Sequence, residues 1–332
     1  MDQYRIFSRD GIWIEQVRTS AERAWALVTE TTATFPLSIF DEKCNSFVLN
    51  YGNLLLIENS DGLLPWVGVI DDIGFDAGKC NVIAYTPERY FAYRRGPRLK
   101  ILKGTAGEIF VQMINWINGQ ETSVLAVGDI NSNTNILEEV LNPVPLTNNL
   151  KRIVQRSGEG YRWRPEVVNG KLTIYADWYS SLTLETGLIL QDGYNVSGNH
   201  PLSLAPPVND YLTYGLGADW ALRIIQSVQD DESIQDYGLR QASASLNTKS
   251  VDTLKVAART FLDAGKQPSP SFPISALNQD DTFAKLAPGA LATFTKLVGQ
   301  GFTDNETGYL SYDRIVKSMT YDPAQGEVAL AV

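Results

Sequence analysis

Apolar residues recur with a period of two over much of this chain, the spacing of strands that bury one face. Tyr4 and Ile6, then Ile12, Ile14 and Val17 beyond the Asp10-Gly11 turn, predict an opening hairpin. Short strands are expected at 35–37, 47–49, 54–57, 64–73 and 82–85, with polar turns at 58–62 and 76–78. Such strands, punctuated this regularly, predict a small antiparallel barrel or sandwich. Thr19 and Glu22 have capping-box spacing, which predicts a short helical turn through Val28.

The period changes after residue 104. Thr105-Ala106-Gly107-Glu108 is a second capping box, and Ile109-Phe110, Met113-Ile114 and Ile117 then recur at helical spacing, with Gly119 as a stop. Residues 121–205 read as mixed short helices and strands. Ile136-Leu137 and Val140-Leu141 form a helix-like piece broken by Pro143 and Pro145, and Leu150, Ile153 and Val154 mark another helical turn. Residues 161–164, 172–175 and 188–190 read as strands, with Asn169-Gly170 as a tight hairpin turn.

In the stretch 207–262, Val208, Tyr211-Leu212 and Tyr214 predict a strand closed by Gly215 and Gly217. The run from Trp220 through Val228 fits both periods, and we read it as a strand. Asp230-Asp231-Glu232 reads as a solvated turn, after which Ile234, Tyr237 and Leu239 are expected to return to the core. Ser250 is placed to cap a helix with Val251, Leu254, Ala257-Ala258 and Phe261-Leu262 on its apolar face and Gly265 at its end. Residues 267–272 are rich in Pro and Ser and read as a surface connection. Strands are expected again at 290–298, 312–319 and 328–332, around a polar turn at Asp304-Asn305-Glu306.

Two of these stretches resemble each other. Val69-Ile70-Asp71-Asp72-Ile73-Gly74-Phe75-Asp76 precedes Gly78 and Val82-Ile83-Ala84, while Ile315-Val316-Lys317-Ser318-Met319-Thr320-Tyr321-Asp322 precedes Gly326 and Val328-Ala329-Leu330. Each follows an apolar strand led by a glycine, Gly52 in one case and Gly289 in the other. A repeat of this kind implies two related β-barrels in one chain.

Composition narrows the function classes. At 332 residues and 44% hydrophobic content the chain is long enough for two or three globular domains. A net charge of −10 argues against a duplex-DNA binder, since neutralising phosphates needs clustered Lys and Arg. The one basic cluster, Arg94-Arg95-Gly96-Pro97-Arg98 with Lys100 and Lys103, reads as a solvated linker or a strip facing an acidic partner. Cys44 and Cys80 have no metal-site spacing and are expected as free, partly buried thiols. His200 is the only histidine and sits in a loop-like Gly198-Asn199-His200-Pro201, which disfavours histidine-based triads and zinc sites. The N-terminal residues do not read as a signal peptide, and no apolar run approaches the ~18 residues of a membrane span.

Candidate chemistry is sparse. Asp71-Asp72 are strand neighbours and point to opposite faces, which is wrong for an acid/base pair. Tyr161, Trp163, Tyr175, Trp178 and Tyr179 offer a sugar-stacking platform, with Asp177 and Glu185 as candidate carboxylates for glycan cleavage. Core and subunit-contact aromatics are the plainer reading. Gly215-Leu216-Gly217-Ala218-Asp219-Trp220 starts like a dinucleotide fingerprint but has Trp at the third glycine.

Asn209 in a strand, the acidic turn, Ser233-Ile234-x-x-Tyr237-Gly238-x-Arg240 and the helix behind it resemble the tail hub (baseplate hub) family of bacteriophages and related contractile injection systems. Tyr51-Gly52, its apolar strand and Trp66-x-Gly68-Val69-Ile70-Asp71 resemble the first barrel of those hubs. The resemblance implies a mainly β fold: two small β-barrel, tail-tube-like domains at 1–97 and 207–332, and an α+β insertion at 98–206. It implies a structural virion protein, not an enzyme, made in the host bacterial cytoplasm and carried at the tail tip. As a homotrimer it would place six barrels in a ring and line the DNA channel. Its neighbours would be a distal tail or tube protein above, spike, fibre or tip proteins below, and the end of the tape-measure protein in the lumen, with DNA only in transit. No catalytic, cofactor or metal residues are implied. With the last strand ending at Val332, no lytic domain is expected. The alternatives are a carbohydrate-active tail enzyme and a hexameric distal tail ring.

Overall fold

The computed structural model describes residues 2–59, 61–121, 123–197, 203–217, 222–246, 249–266, 269–271, 274–297 and 309–332. By internal packing the chain divides into two compact units, Met1–Gly198 with Ile274–Val332, and Asn199–Pro273.

The first unit opens with β1 (Gln3–Phe7), β2 (Trp13–Val17), β3 (Glu22–Ala26), β4 (Thr32–Ser38), β5 (Leu54–Glu58), β6 (Trp66–Asp76) and β7 (Lys79–Tyr85). The expected hairpin is β1–β2. Alternation translates directly into burial: Ala33, Phe35 and Leu37 of β4 are buried, and Thr34, Pro36 and Ser38 are exposed. Two expectations fail here. Thr19 and Glu22 start no helix, because the chain enters β3, which pairs with β4 and with residues 318–322 from the far end of the chain. Thr19 Oγ1 instead donates to the Pro36 carbonyl at 2.7 Å. Residues 47–49 are turn, held by the Asn53 amide donating to the Phe47 and Val48 carbonyls at 3.0 Å each.

Next come α1 (Glu88–Tyr93), β8 (Lys100–Gly104), α2 (Ala106–Gln120), β9 (Leu125–Ile130), β10 (Leu137–Leu141), α3 (Thr147–Ser157), β11 (Gly160–Val168), β12 (Lys171–Tyr179), β13 (Leu184–Gln191) and β14 (Val196–Ser197). The capping box of α2 is complete: Thr105 Oγ1 accepts from the Glu108 N–H at 3.2 Å, and the Glu108 carboxylate accepts from the Thr105 N–H at 2.9 Å. The piece at 136–141 is not helical. Prolines confine it to a few residues, too short for a helix to hold itself, and β10 takes its hydrogen bonds from β8. Asn169 and Gly170, at φ +52° and +75°, close the β11–β12 hairpin as a two-residue turn. The apolar face of α2 lies on the sheet β11-β12-β9. One core runs from Phe7, Leu54 and Val69 through Phe110, Ile114 and Leu150 to Ile174 and Trp178, so the opening strands and the α/β middle are packed together.

The second unit holds β15 (Ser203–Ala205), β16 (Asp210–Tyr214), β17 (Ile225–Gln229), α4 (Asp231–Tyr237), β18 (Gln241–Ser245), α5 (Val251–Gly265) and β19 (Ser269–Ser271). Its sheet is ordered β17-β16-β18, and α5 packs on β16 and β17 through Leu254, Ala258 and Leu262. Ser250 caps α5 at the Thr253 N–H, 3.2 Å away. The strand reading holds at Ile225–Gln229, while Trp220 lies outside the described residues. The acidic stretch is a helix start and not a turn. Asp230 Oδ1 accepts from the Ser233 N–H at 3.0 Å, and Asp231 and Glu232 fill the first turn, where the helix dipole favours negative charge. Seven residues of helix then turn Tyr237 and Leu239 outward: both are exposed and Ile234 is half-buried, against the expected return to the core.

Asn209 explains the local motif. It is fully buried, its amide donates to the Ser233 and Gly238 carbonyls at 3.1 and 2.8 Å, and its Oδ1 accepts from the Arg240 N–H at 2.7 Å. One side chain thus ties both ends of α4 to the start of β16.

The chain closes with β20 (Ile274–Ala276), α6 (Thr282–Lys285), β21 (Ala290–Leu297), β22 (Tyr309–Ile315), β23 (Ser318–Asp322) and β24 (Glu327–Ala331). The polar turn at 304–306 lies outside the described residues. These strands complete an eleven-stranded sheet, β14-β20-β24-β23-β3-β4-β7-β6-β5-β1-β2, and a three-stranded sheet, β13-β21-β22.

The suspected repeat is present in the hydrogen bonds. The Gly52 N–H donates to the Ile70 carbonyl at 2.9 Å, and the Ile70 N–H to the Asn53 carbonyl at 2.7 Å. Correspondingly, the Gly289 N–H donates to the Val316 carbonyl at 2.7 Å, and the Val316 N–H to the Ala290 carbonyl at 2.9 Å. Both glycines are left-handed, at φ +85° and +92°. Beyond each crossing the chain leaves its first partner and pairs forward: Ile73 faces Val82 and Phe75 faces Cys80, as Met319 faces Leu330 and Tyr321 faces Val328. The fold is therefore mainly β, with two related barrel-type parts and an α/β middle.

Candidate functional site

The residues nominated from the sequence do not assemble into one catalytic centre. Along β11 and β12, Tyr161 faces Trp178 and Trp163 faces Ala176, whereas Arg162 faces Asp177 and Arg164 faces Tyr175. The pleat thus sends Tyr161, Trp163 and Trp178 to one side of the sheet and Tyr175, Asp177 and Tyr179 to the other. The first group joins Phe91 and Phe110 in an aromatic core, with Phe110 and Trp178 ring centroids 5.0 Å apart. In the second group Arg162 lies over Tyr179 and Arg164 over Tyr175, at 5.1 and 4.8 Å. Both oxygens of Asp177 are engaged: Arg164 donates to them at 2.9 and 3.1 Å, and the Asp129 N–H at 2.8 Å. Glu185 is exposed on β13, in a different sheet.

Asp71 accepts from Arg89 Nε at 2.6 Å, and Asp72 is exposed. Arg94 pairs with Glu121, leaving Arg95, Arg98, Lys100 and Lys103 as an exposed basic strip beside Trp116. Cys44 and Cys80 are free thiols, and burial, followed by the neighbouring Cys44 thiol, pushes Cys80 up to about 11. His200 lies outside the described residues.

Two features escaped the sequence reading. One is an exposed apolar patch on the 39–51 loop and the β6–β7 hairpin. Phe40 is 89% exposed, Phe47, Tyr51 and Phe75 are also exposed, and Tyr51 and Phe75 border one recess with Cys44. Aromatic residues in an irregular segment carry no periodicity that would tell patch from core.

The other is a cleft of about 410 Å³ between β11 and the opening strands, lined by Trp25, Leu27, Trp66, Glu88, Tyr161 and Trp163 among others. Glu88, the first residue of α1, is buried there, and burial pushes its carboxyl above the usual range even though Thr86, Trp163 and Tyr161 approach it. Its Oε2 and the indole N–H groups of Trp25 and Trp163 are buried without a hydrogen-bond partner. Glu88 reads in sequence as an ordinary acidic first-turn residue, and only tertiary packing makes it otherwise. Among the described residues no group of three or more His, Cys, Asp or Glu could hold a metal ion, and no helix is long and apolar enough to cross a membrane.

No family model and no curated protein matches this sequence. Solved structures do match in fold. The chain resembles the prophage tail protein gp18 from Listeria monocytogenes, at 12% identity and a TM-score of 0.60 over 99% of this chain and 94% of that one. It resembles the 43 kDa tail protein of prophage MuSo2 from Shewanella oneidensis, at 12% identity and a TM-score of 0.61 over 99% and 97%. It also resembles the E. coli c3393 protein, at 9% identity and a TM-score of 0.51 over 95% and 74%. That protein is described as a type VI secretion component with structural similarity to the tail proteins gp27 and gp5 of bacteriophage T4. These matches, all at low identity, show a fold shared with phage tail proteins.

Proposed function

We propose that this chain is a baseplate hub: a structural protein at the tip of a phage tail, joining the tail tube or distal ring to the tip proteins. The observation that carries the reading is the repeated barrel-type motif, with its paired crossings at Gly52 and Gly289, inside a fold shared end to end with phage tail proteins. Two related β-parts per chain suit a trimer, because three copies present six similar surfaces to a six-fold tube. In this reading 1–97 and 207–332 carry the tube-like parts and 98–206 the insertion. The lumen holds the tape-measure end and then passes DNA, for which a net charge of −10 is a repelling lining and not a binding surface. The working energy comes from interfaces, so the hub needs no active site. Asp177, locked by Arg164, and Glu185, in another sheet, offer little support for the glycan-cleaving alternative.

The test is native mass by light scattering, with negative-stain images of the same sample. Three copies of the 36.7 kDa chain, about 110 kDa, in a ring-shaped particle are expected. A six-copy ring would favour the distal tail ring instead. A monomer that cleaves cell-wall glycan would overturn the structural reading.

A further inference from the structure

Strand β11 has an open edge. Among the described residues it is the end strand of its sheet and pairs only with β12, from Gly160 opposite Tyr179 to Val168 opposite Lys171. Tyr161, Arg162, Trp163, Arg164 and Pro165 all border the 410 Å³ cleft. Successive side chains of a strand point to opposite faces, so a cleft touched by five residues in a row lies along the strand's edge. Pro165 sets which backbone groups that edge presents. Proline has no N–H to give β12, so its nitrogen faces away from that strand. In an antiparallel ladder, residues two apart share this orientation, so Tyr161 and Trp163 turn both N–H and C=O toward the cleft. Among the described residues no hydrogen bond outside the β12 ladder reaches these backbone groups.

The walls of the cleft are aromatic and incompletely satisfied. The Trp66 indole donates to the Ala24 carbonyl at 2.9 Å. Glu88 Oε2 and the indole N–H groups of Trp25 and Trp163 have no partner. Buried polar groups are almost always paired, so three orphans around one cleft mark a place where another molecule's groups belong.

We propose that this cleft receives an extended segment of a partner protein, which adds as a strand to β11 and directs a lysine side chain to Glu88. A peptide backbone is the ligand that matches outward N–H and C=O groups repeating every second residue, about 6.8 Å along a strand. Glu88 Oε2 is left unpaired, although Thr86, Trp163 and Tyr161 approach the carboxyl, and the cleft is walled by Trp and Tyr rings, a setting that favours a cation over the ring faces. Carbonyl groups of the added strand meet the two indole N–H groups. Arg162 and Arg164 do not oppose the lysine: one donates to the Pro288 carbonyl at 2.9 Å, and the other is held on Asp177. An acidic protein further favours a basic segment.

The test is selection from a random heptapeptide library on the full-length protein, with depletion on a Thr29→Trp variant. Thr29 is exposed on the rim, so the larger side chain fills the slot without entering the core. The expected peptides carry a lysine flanked two positions away by apolar residues and bind Thr29→Trp at least tenfold more weakly. Exchanging that lysine for norleucine is expected to cost about tenfold on the wild type and nothing on Glu88→Gln, which keeps the shape of the floor. A circular dichroism spectrum like that of the wild type qualifies each variant. Failure to enrich peptides over Thr29→Trp, a consensus without lysine, or equal lysine dependence on Glu88→Gln overturns the proposal. Displacement of the peptide by maltose, lactose or chitobiose would reassign the cleft to saccharide and overturn it as well. These outcomes are independent of the native mass, so the docking cleft and the hub reading fail separately.

Discussion

Glu159 offers a sharp test of how the α/β middle is held. It follows the left-handed Gly158 that ends α3, is 1% exposed, and among the described residues has no cationic partner. Its carboxylate instead accepts from Ser132 Oγ at 2.6 Å, the Asn133 N–H at 3.0 Å and the Trp178 indole N–H at 2.5 Å. Ser132 Oγ in turn accepts from the Gly107 N–H at 3.1 Å, in the first turn of α2. The negative charge thus sits in a chain of donors ending at a helix N-terminus, where the dipole favours it. Glu159→Gln keeps one oxygen and aims an NH₂ group at a donor, losing one charged hydrogen bond and weakening the others, about 2 kcal/mol. Glu159→Leu removes all three and leaves the Trp178 N–H orphaned in the core, about 4 kcal/mol. With an m-value of about 3 kcal/mol/M in urea, the midpoints fall by about 0.7 M and 1.3 M. Near-UV circular dichroism of the tryptophans during urea unfolding reads both shifts. A Glu159→Leu midpoint within about 0.2 M of the wild type would refute the reasoning, since the carboxylate would then carry no net stabilisation.

Three further outcomes follow from the geometry. The repeated glycines differ in space: Gly52→Ala meets nothing nearer than Arg9 Cβ at 3.9 Å and is expected to cost about 1 kcal/mol of left-handed strain, whereas Gly289→Ala places its Cβ 2.3 Å from the Leu182 carbonyl oxygen and is expected to cost about 3 kcal/mol or more, read as the difference between their thermal midpoints. Because the folded-state pKa of Glu88 is raised, the fold binds this proton more tightly than the unfolded chain does. Its contribution is full below the ordinary carboxyl value near 4.3 and is lost as pH rises through the folded value. Glu88→Gln is therefore expected to gain stability over the wild type as pH rises from 4 to 7, and parallel pH profiles would contradict this. Thr105→Ala breaks the capping box of α2 and is expected to lower stability by about 1 kcal/mol, while Thr105→Ser is expected to restore most of it in the same denaturation assay.

The sequence by itself determined what depends on residues a few positions apart. The caps at Thr105 and Ser250, the Asn169-Gly170 turn, the apolar face of α2 and the alternation in β4 were legible because each is set by local hydrogen bonds or by one periodicity. The repeat was legible too, since Gly52 and Gly289 must each adopt a conformation that other residues resist. Tertiary structure alone decided the rest. The residues from Glu22 onward became a strand because residues 318–322 supply a ladder partner, and a partner almost three hundred residues away leaves no local trace. The pleat of β11 and β12 split an aromatic cluster that looked continuous in sequence, locking Asp177 on one face and burying Trp178 on the other. Glu88 acquired its character only when β11 and the opening strands closed over it. Burial depends on which surfaces meet, and that is settled by packing across the whole chain, not by the identity of a residue or its neighbours.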